Sequence, residues 1–328
     1  MSTFIIAEAG ANHNRDFEQA KSLIDVARAA GADACKFQTY SSETLYSKNV
    51  PDFAGYRDIN KLLKDIELPR EWQKGLKEYC DEVGIEFMST PFDEKAVDEL
   101  VQLGVKRLKI AGFESTDFRF VEMVASARLP LIISAGIGFK YEYYDRVLGI
   151  VTRYTDDITF LHCNNAYPTP LSDTALNTIK MLSLDNRYKV GFSDHTLETI
   201  TPALAVMVGA TVIEKHFTLD RTLPGPDHPF ALEPDELKEM VTYIKQAEKT
   251  LKIKTDEYTK SEEVFAMARR SVVAKSGIKQ GEVFTIDNLT TKRPFYVGCV
   301  PAAEYNDLLG KVSSRDYDED DIIFKNID

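Results

Sequence analysis

The chain has 328 residues, of which 44% are hydrophobic, and its formal net charge is −12 at pH 7. This length allows one large domain and a smaller one. Such an acidic chain does not depend on attraction to nucleic-acid phosphates, although a local group of Lys and Arg side chains still allows a small anionic substrate. The four Cys residues form no CxxC pair, and no hydrophobic stretch reaches bilayer length. We expect a soluble, cytoplasmic protein with neither a nucleic-acid nor a membrane partner.

Short hydrophobic runs alternate with segments of helical periodicity through about residue 250. Continuous runs of this kind predict parallel strands that are buried on both faces. Their starts lie near Phe4, Ala34, Glu86, Arg107, Leu129, Ile158, Lys189 and Thr211. Predicted helices between or after them include residues 17–30, a segment that Asp93 caps, and a segment from Pro234 to Leu251.

Eight βα units in about 250 residues predict an α/β fold, the (β/α)₈ TIM barrel. An open doubly wound sheet is the competing fold, but no glycine-rich dinucleotide turn follows the first strand. A polar insertion at residues 41–69 follows the second strand, and long loops of this kind are usually lids or substrate walls. We expect the barrel to span residues 1–251, a charged linker to span 252–267, and a small β-rich domain to span 268–328.

Two histidines close the last two predicted strands, His195 and His216. Side chains at the carboxyl ends of barrel strands face the active-site mouth, and two imidazoles there can share one divalent metal ion. Either histidine alone could equally cap a strand. Asp194, Glu214 and Asp227 lie beside them in the sequence and favour a site.

The other strand ends are rich in groups that donate hydrogen bonds to oxygen, which predicts a pocket for a phosphate or a carboxylate. These groups include Lys36, Thr90, Lys109, Ser134 and Asn165. Each of them taken singly could instead be a capping or solvated residue.

Glu8 ends the first predicted strand. It is either a general base that orients water or only the ion-pair partner of Lys36.

Several of these segments together resemble the sialic acid synthase family, the nonulosonic acid synthases that include the pseudaminic and legionaminic acid synthases. The similar segments are 8–14, 36–38, 89–92, 167–170, 193–196, 214–217 and 224–227. Residues from 270 to the end resemble the antifreeze-like (SAF) domain that follows the barrel in these enzymes.

The resemblance implies a transferase that condenses phosphoenolpyruvate with an N-acylated hexosamine aldehyde of the N-acetylmannosamine type, giving a nonulosonic acid and phosphate. His195 and His216 would bind Mn²⁺ or Mg²⁺, and Glu8 would act near the attacking water. Phosphoenolpyruvate would be held by Lys36, Thr90, Lys109, Ser134, Asn165 and Ser193. The sugar would contact Gln38, Glu114, Tyr167 and Asp227. Arg293 would reach the barrel of the partner subunit in a domain-swapped homodimer.

Three positions depart from the family pattern. Arg15 stands where the family usually has Gly, and Gly112 stands where a serine often helps to bind phosphate. The insertion offers no match for an asparagine that these enzymes often carry there. The sequence of residues 110–114 is similar to that of the pseudaminic acid synthases, but these segments do not decide which sugar the enzyme uses.

Two other functions are compatible with the same residues. A Schiff-base aldolase would use Lys36, Lys109 or Lys215 as its nucleophile, and would leave the histidine pair idle. A non-catalytic protein would bind a sugar acid and use the SAF domain for interactions, although the presence of both histidines, Glu8 and two lysines speaks against a decayed site.

Overall fold

The structure is a computed structural model and describes residues 2–52, 55 and 57–325. The chain divides into two compact units, residues 1–251 and 252–328. Within the described residues, no helix combines the length and the hydrophobicity needed to cross a membrane.

The first unit is the predicted eight-stranded parallel barrel. Seven neighbouring strand pairs are hydrogen-bonded in the order β3-β2-β1-β8-β7-β6-β5-β4, and β3 lies beside β4 to close the ring. The strands are β1 Phe4–Gly10, β2 Ala34–Thr39, β3 Glu86–Pro91, β4 Leu108–Ile110, β5 Leu131–Ala135, β6 Ile158–Cys163, β7 Lys189–Asp194 and β8 Val212–His216. Their predicted starts are within two residues of these. The fifth strand begins later than Leu129 because Pro130 has no N–H to donate to a neighbouring strand.

Helices surround the barrel, and most of them follow a strand. They are α1 Phe17–Ala30, α2 Ser42–Leu45, α3 Ile59–Ile66, α4 Trp72–Val83, α5 Glu94–Leu103, α6 Phe118–Ala125, α7 Tyr143–Val151, α8 Asn177–Leu182, α9 Thr201–Met207 and α10 Pro234–Thr250. Asp93 caps α5 as predicted, accepting a hydrogen bond from the Ala96 N–H. The polar insertion contains α2 and α3, which the sequence analysis did not predict.

The barrel interior is built in layers, because successive side chains of a strand point to opposite faces. One layer is hydrophobic and consists of Ile6, Ala34, Met88, Ile132, Leu161 and Val212. Two residues further along the same strands lie Glu8, Lys36, Thr90, Ser134, Cys163 and Glu214, which line a cavity. The same alternation therefore gives the barrel a hydrophobic interior layer and, next to it, a polar layer at the carboxyl ends of the strands.

The second unit has its own small hydrophobic core, made of Val272, Ala274, Ile278, Phe284, Leu289, Val300, Tyr317 and Ile323. Strand β9 (Ser271–Ala274) pairs antiparallel with β10 (Leu289–Lys292), and α11 (Tyr305–Leu308) follows. Both strands lie in the segment, residues 268–328, that was predicted to be β-rich. A 3₁₀ helix over Lys260–Ala268 lies largely within the predicted charged linker.

Candidate active site

A cavity of about 260 Å³ opens at the carboxyl ends of the barrel strands. Twelve of the fourteen residues predicted to form a site line it: Glu8, Lys36, Gln38, Thr90, Lys109, Ser134, Asn165, Tyr167, Ser193, His195, His216 and Asp227. The fold thus brings together side chains that are more than 200 residues apart in the sequence.

Glu8 lies between Lys36 and His216, because it pairs with Lys36 on β2 and with His216 on β8. The register of β1 against β2 shifts directly after Glu8, as happens at a bulge that turns a side chain toward an active site. The Glu8 carboxylate lies 2.7 Å from the Lys36 Nζ and accepts a hydrogen bond of 2.9 Å from the Gln38 Nε2. Burial raises the pKa of Glu8 to about 7 despite the ammonium group beside it. Glu8 is therefore both an ion-pair partner and a group that titrates near neutrality.

A second buried carboxylate, Glu214, lies near both cavity lysines. Its oxygens are 3.8 Å from the Lys36 Nζ and 3.6 Å from the Lys109 Nζ, and it accepts a hydrogen bond of 3.2 Å from the Ser193 hydroxyl. Burial alone would raise the pKa of Glu214, but Lys109 and Lys36 hold it below its usual value. From the sequence, Glu214 is recognised only as a neighbour of the histidines. Val212, two residues earlier on β8, lies inside the barrel, and the alternation of side chains along a strand therefore places Glu214 inside as well.

The two lysines differ in their electrostatics. Burial alone would lower the pKa of Lys36, but Glu214 and Glu8 raise it above the usual value. Burial lowers the pKa of Lys109, and Glu214 only partly offsets this effect. Lys36 also donates a hydrogen bond of 2.8 Å to the Thr90 hydroxyl. With the hydroxyls of Ser134 and Ser193, these groups form a surface that can donate hydrogen bonds to an anion.

The Asn165 carboxamide closes one side of this surface. Its Oδ1 accepts a hydrogen bond of 2.8 Å from the Ile137 N–H. A Cβ atom at Gly136 would lie 2.0 Å from that oxygen, and one at Gly112 would lie 2.8 Å from it. Glycine at 112, where the family often has serine, leaves room for the carboxamide in this position.

The imidazoles of His195 and His216 face each other, with ring centroids 5.6 Å apart. Two imidazoles that each place a nitrogen about 2.1 Å from one ion have centroids at most about 6.4 Å apart, so the rings are close enough to share a cation. The Nδ1 of His195 lies 2.6 Å from the Asn164 carbonyl oxygen. Because the carbonyl only accepts, this nitrogen carries the hydrogen, and Nε2 is left with a free lone pair.

His216 completes the pair. Its Nδ1 is buried and has no hydrogen-bond partner among the described residues, a costly arrangement that a cation would relieve. Burial lowers the pKa of both imidazoles, and that of His216 falls well below the usual value because His195 adds to the effect. Both rings are therefore neutral at pH 7, the form that ligates metals. In the described part of the chain, no cluster of three or more His, Cys, Asp or Glu side chains is placed to hold a metal.

Asp227 lies on the loop after β8, 4.0 Å from His216 Nδ1, and its Oδ2 accepts a hydrogen bond of 3.1 Å from the Ala11 N–H. Burial raises its pKa. A Cβ atom at Gly10 would lie 2.6 Å from the same carboxylate oxygen, and the φ of Gly10 is +52°, so glycine is required there. The Tyr167 ring packs on His195 at a centroid distance of 4.3 Å.

Two predicted site residues lie elsewhere. Glu114 follows β4 in a turn and is not among the cavity-lining residues; burial raises its pKa to about 7. Arg293 is exposed on the second unit, one residue after β10. Lys215 points away from the cavity, where its Nζ forms a fully buried ion pair with Asp194 at 2.6 Å, so it is not available as a nucleophile.

Comparison with known proteins shows the family to which the chain belongs. The NeuB family model matches residues 23–256, and the SAF domain model matches residues 269–326. The chain belongs to the NeuB family. It is 40% identical to the N,N'-diacetyllegionaminic acid synthase of Legionella pneumophila, over 90% of this chain and 86% of that protein. It is 36% identical to a pseudaminic acid synthase of Campylobacter jejuni, over 98% of this chain and 95% of that protein.

A solved structure supports the same assignment. The N-acetylneuraminic acid synthetase of Leptospira borgpetersenii superposes with a TM-score of 0.74 at 34% identity, over 81% of this chain and 90% of that one. The chain is thus an enzyme of the condensing transferase type, and its family relatives make nonulosonic acids. The resemblance inferred from the sequence motifs is confirmed.

Proposed function

We propose that the enzyme condenses phosphoenolpyruvate with an N-acylated hexosamine in its open-chain aldehyde form, releasing phosphate and a nine-carbon nonulosonic acid. The observation that carries this proposal is the buried polar layer, in which two lysines and several hydroxyls lie beside two neutral, facing imidazoles. An anionic substrate and an electrophile that needs activation match these two halves of the cavity.

The lysine half would hold phosphoenolpyruvate. Lys36 and Lys109 would counter its negative charge, and Thr90, Ser134, Asn165 and Ser193 would donate hydrogen bonds to its oxygens. This placement would fix the enol carbon C3 in the centre of the barrel mouth. Bringing the two reactants together in one orientation is itself a large part of such catalysis.

The histidine half would hold Mn²⁺ or Mg²⁺ through His195 and His216. The ion would supply Lewis-acid polarisation of the acceptor aldehyde. The unpartnered nitrogen of His216 and the fixed tautomer of His195 fit this role. Gln38, Tyr167 and Asp227 line the same cavity and would contact the sugar. The family resemblance also supports a sugar contact for Glu114, which does not line the cavity.

Glu8 would act as the general base for the attacking water. C3 of the enol would form a bond to the aldehyde carbon, which leaves C2 as an oxocarbenium ion and the aldehyde oxygen as an alkoxide. Water would then add to C2 and give one proton to Glu8, and this proton balances the one that the alkoxide takes up. The bond from C2 to the phosphate oxygen would break as the new C2 hydroxyl gives its proton to the leaving phosphate, which forms the ketone. A carboxylate with a pKa of about 7 is well matched to proton transfer near neutral pH.

The decisive experiment measures phosphate release from phosphoenolpyruvate with a panel of mono- and di-N-acylated hexosamines. We expect release only in the presence of an acceptor, loss of release after thorough chelation, and recovery with Mn²⁺. Activity that survives complete metal removal would contradict the role of the histidine pair.

A Schiff-base aldolase is the second candidate, and the lowered pKa of Lys109 favours it. Borohydride treatment in the presence of pyruvate would trap a covalent adduct on Lys109 in an aldolase. No adduct is expected from the condensing enzyme.

The resemblance also supports a domain-swapped homodimer in which Arg293 reaches the partner's cavity and donates to the N-acyl carbonyl. Mixed dimers of Arg293→Ala and Glu8→Gln subunits provide a test. If the domains exchange, one site of each mixed dimer holds both native residues and activity returns. Without exchange, every site lacks one of them and the mixture stays inactive.

A further inference from the structure

The turn after β1 holds two consecutive residues in the left-handed backbone conformation. The φ angle is +49° at Asn14 and +54° at Arg15. Asparagine adopts this conformation more readily than most residues, whereas it is unfavourable for arginine. Such strain persists only where the surrounding structure holds it, and it is concentrated at functional sites. An arginine at a position where the family usually has glycine therefore indicates a function of its side chain.

Two buried histidines fix this turn to the barrel. The Arg15 N–H donates a hydrogen bond of 3.0 Å to Nδ1 of His13, and Nε2 of His228 lies 3.2 Å from the Asn14 Oδ1. Because that oxygen only accepts, Nε2 of His228 carries the hydrogen, and its Nδ1 accepts one from the Thr218 hydroxyl at 2.6 Å. Both histidines are at most 1% exposed. The backbone of Arg15 is therefore a fixed base for its side chain.

The Arg15 side chain extends from this base to the insertion. Its guanidinium donates a hydrogen bond of 2.7 Å to the Lys64 carbonyl oxygen. Lys64 lies in the last turn of α3, where carbonyl groups have no partner within the helix. A cation that hydrogen-bonds such a carbonyl also interacts favourably with the helix dipole. Arg15 thus caps the C-terminus of α3 from a loop of the barrel.

Helix α3 forms part of the cavity wall and has few other attachments. It lines the cavity with Ile59, Leu62, Leu63 and Ile66. Only the first of these is buried, and the other three are half-buried. Glu67, directly after the helix, accepts a hydrogen bond of 2.9 Å from the Ser42 N–H, but Ser42 belongs to the same insertion. The hydrogen bond from Arg15 therefore joins this part of the wall to the barrel.

We propose that Arg15 is a positioning residue, which holds α3 at the cavity mouth in the place where the acceptor binds. Glycine at position 15 would relieve the backbone strain but would release the end of the helix. Stability and acceptor binding should therefore change in opposite directions, whereas a contact that only supports the fold would lower both. This inference rests on the proposed function, because it takes the cavity as the site of the acceptor.

Hydrogen–deuterium exchange tests the contact without any substrate. In Arg15→Gly, the amides of residues 59–66 should exchange at least ~5-fold faster than in the native enzyme, about the effect of one hydrogen bond from a charged group. Arg128→Gly is the matched control, because Arg128 also has a left-handed φ of +59°, is exposed and is not among the residues lining the cavity. In the control these amides should exchange at the native rate. A native rate in Arg15→Gly would overturn the proposal.

Thermal unfolding separates positioning from support of the fold. Both glycine variants should have a Tm equal to or above that of the native enzyme, since each removes a side chain from a left-handed position. A lower Tm in Arg15→Gly alone would show that Arg15 supports the fold, and would overturn the proposal.

Kinetic measurements connect the contact to the reaction. With the hexosamine of the panel that the native enzyme uses best, Arg15→Gly should raise the KM for the acceptor at least ~5-fold, while kcat and the KM for phosphoenolpyruvate change by less than ~2-fold. Arg15→Lys keeps a cationic donor and should restore most of the native KM. Arg15→Met keeps the strain without the donor and should raise the KM as glycine does.

The outcomes distinguish this proposal from the proposed function. A native KM for the acceptor in Arg15→Gly would overturn the role of Arg15 and leave the condensation intact. Absence of phosphate release by the native enzyme with every acceptor would overturn the proposed function, and the exchange rates of residues 59–66 would still decide whether Arg15 holds α3.

Discussion

The Glu8 carboxylate lies 2.7 Å from the Lys36 ammonium group, yet its pKa is raised to about 7. Burial raises the pKa of Glu8 by more than the neighbouring Lys36 ammonium group lowers it, particularly because Lys36 is also close to the Glu214 carboxylate. The ion pair with Lys36 is therefore compatible with the general-base role proposed for Glu8.

Glu8→Gln should reduce kcat at least ~100-fold, because positioned general-base catalysis contributes roughly 10²–10⁴-fold. The ionised form is the active base, so native activity should fall as the pH drops below about 7. The variant should lack this acidic limb in a plot of log kcat against pH. Glu18→Gln, at an exposed position of α1, serves as the control and should keep the native profile.

His195→Ala and His216→Ala should each weaken Mn²⁺ binding by more than the roughly 10–100-fold that loss of an outer-shell partner costs. Titration followed by the electron paramagnetic resonance of free Mn²⁺ measures this without reference to turnover. His162→Asn is the matched control, since its Nε2 lies 2.7 Å from the Thr174 carbonyl oxygen and the residue is not among those lining the cavity. Native Mn²⁺ affinity in either cavity variant would contradict the shared site.

Lys215→Met should lower the free energy of unfolding by about 3–5 kcal/mol, because it leaves the buried Asp194 carboxylate without a counter-charge. Urea denaturation at pH 7 measures the loss. Adding Asp194→Leu should recover much of it, since the uncompensated charge is then removed. Lys61→Met breaks only an exposed ion pair with Asp65 and should leave the midpoint unchanged within error.

His13 should make the protein sensitive to acid. Burial, with a smaller contribution from Arg15, lowers its pKa from 6.5 to about 4. Between these values the unfolded chain binds more protons than the folded one, so stability falls as the pH drops through this window, by about 3 kcal/mol from this residue. His13→Gln should make the dependence of the urea midpoint on pH between 6.5 and 4 less steep, and the dependence that remains comes from other buried groups such as His195 and His216. An equally steep dependence in the variant would assign it to other groups.

The barrel could be predicted from the sequence because its strands are continuous hydrophobic runs at regular intervals. The residues that line the cavity could be predicted because most of them stand at or just after the ends of those runs. Glu214 was not singled out because Glu214, Lys215 and His216 are three successive polar residues, and the run alone does not decide which of them point inward. The hydrophobic interior position of Val212 decides it.

Helix α3 was missed for a different reason. Residues 41–69 were treated as a polar insertion from their overall composition, although Ile59, Leu62, Leu63 and Ile66 already have helical spacing. A short helix of this kind becomes recognisable only where other parts of the chain hold it. Arg15 lies in a left-handed turn, and its guanidinium donates a hydrogen bond to the Lys64 carbonyl oxygen at the end of α3. Both features depend on tertiary contacts that local sequence does not specify.

The polar layer also constrains how the cavity can be filled. Glu8, Glu214, Lys36 and Lys109 carry formal charges that sum to zero when all four are ionised, and at most about 2% of the surface of Glu8, Lys36 and Lys109 is exposed. A bound phosphate ester would bring excess negative charge into this space, and buried charge has to be neutralised. A divalent cation at the histidine pair, or a proton taken up by Glu8, would offset part of this excess negative charge. Anion entry should therefore be thermodynamically linked to cation or proton uptake.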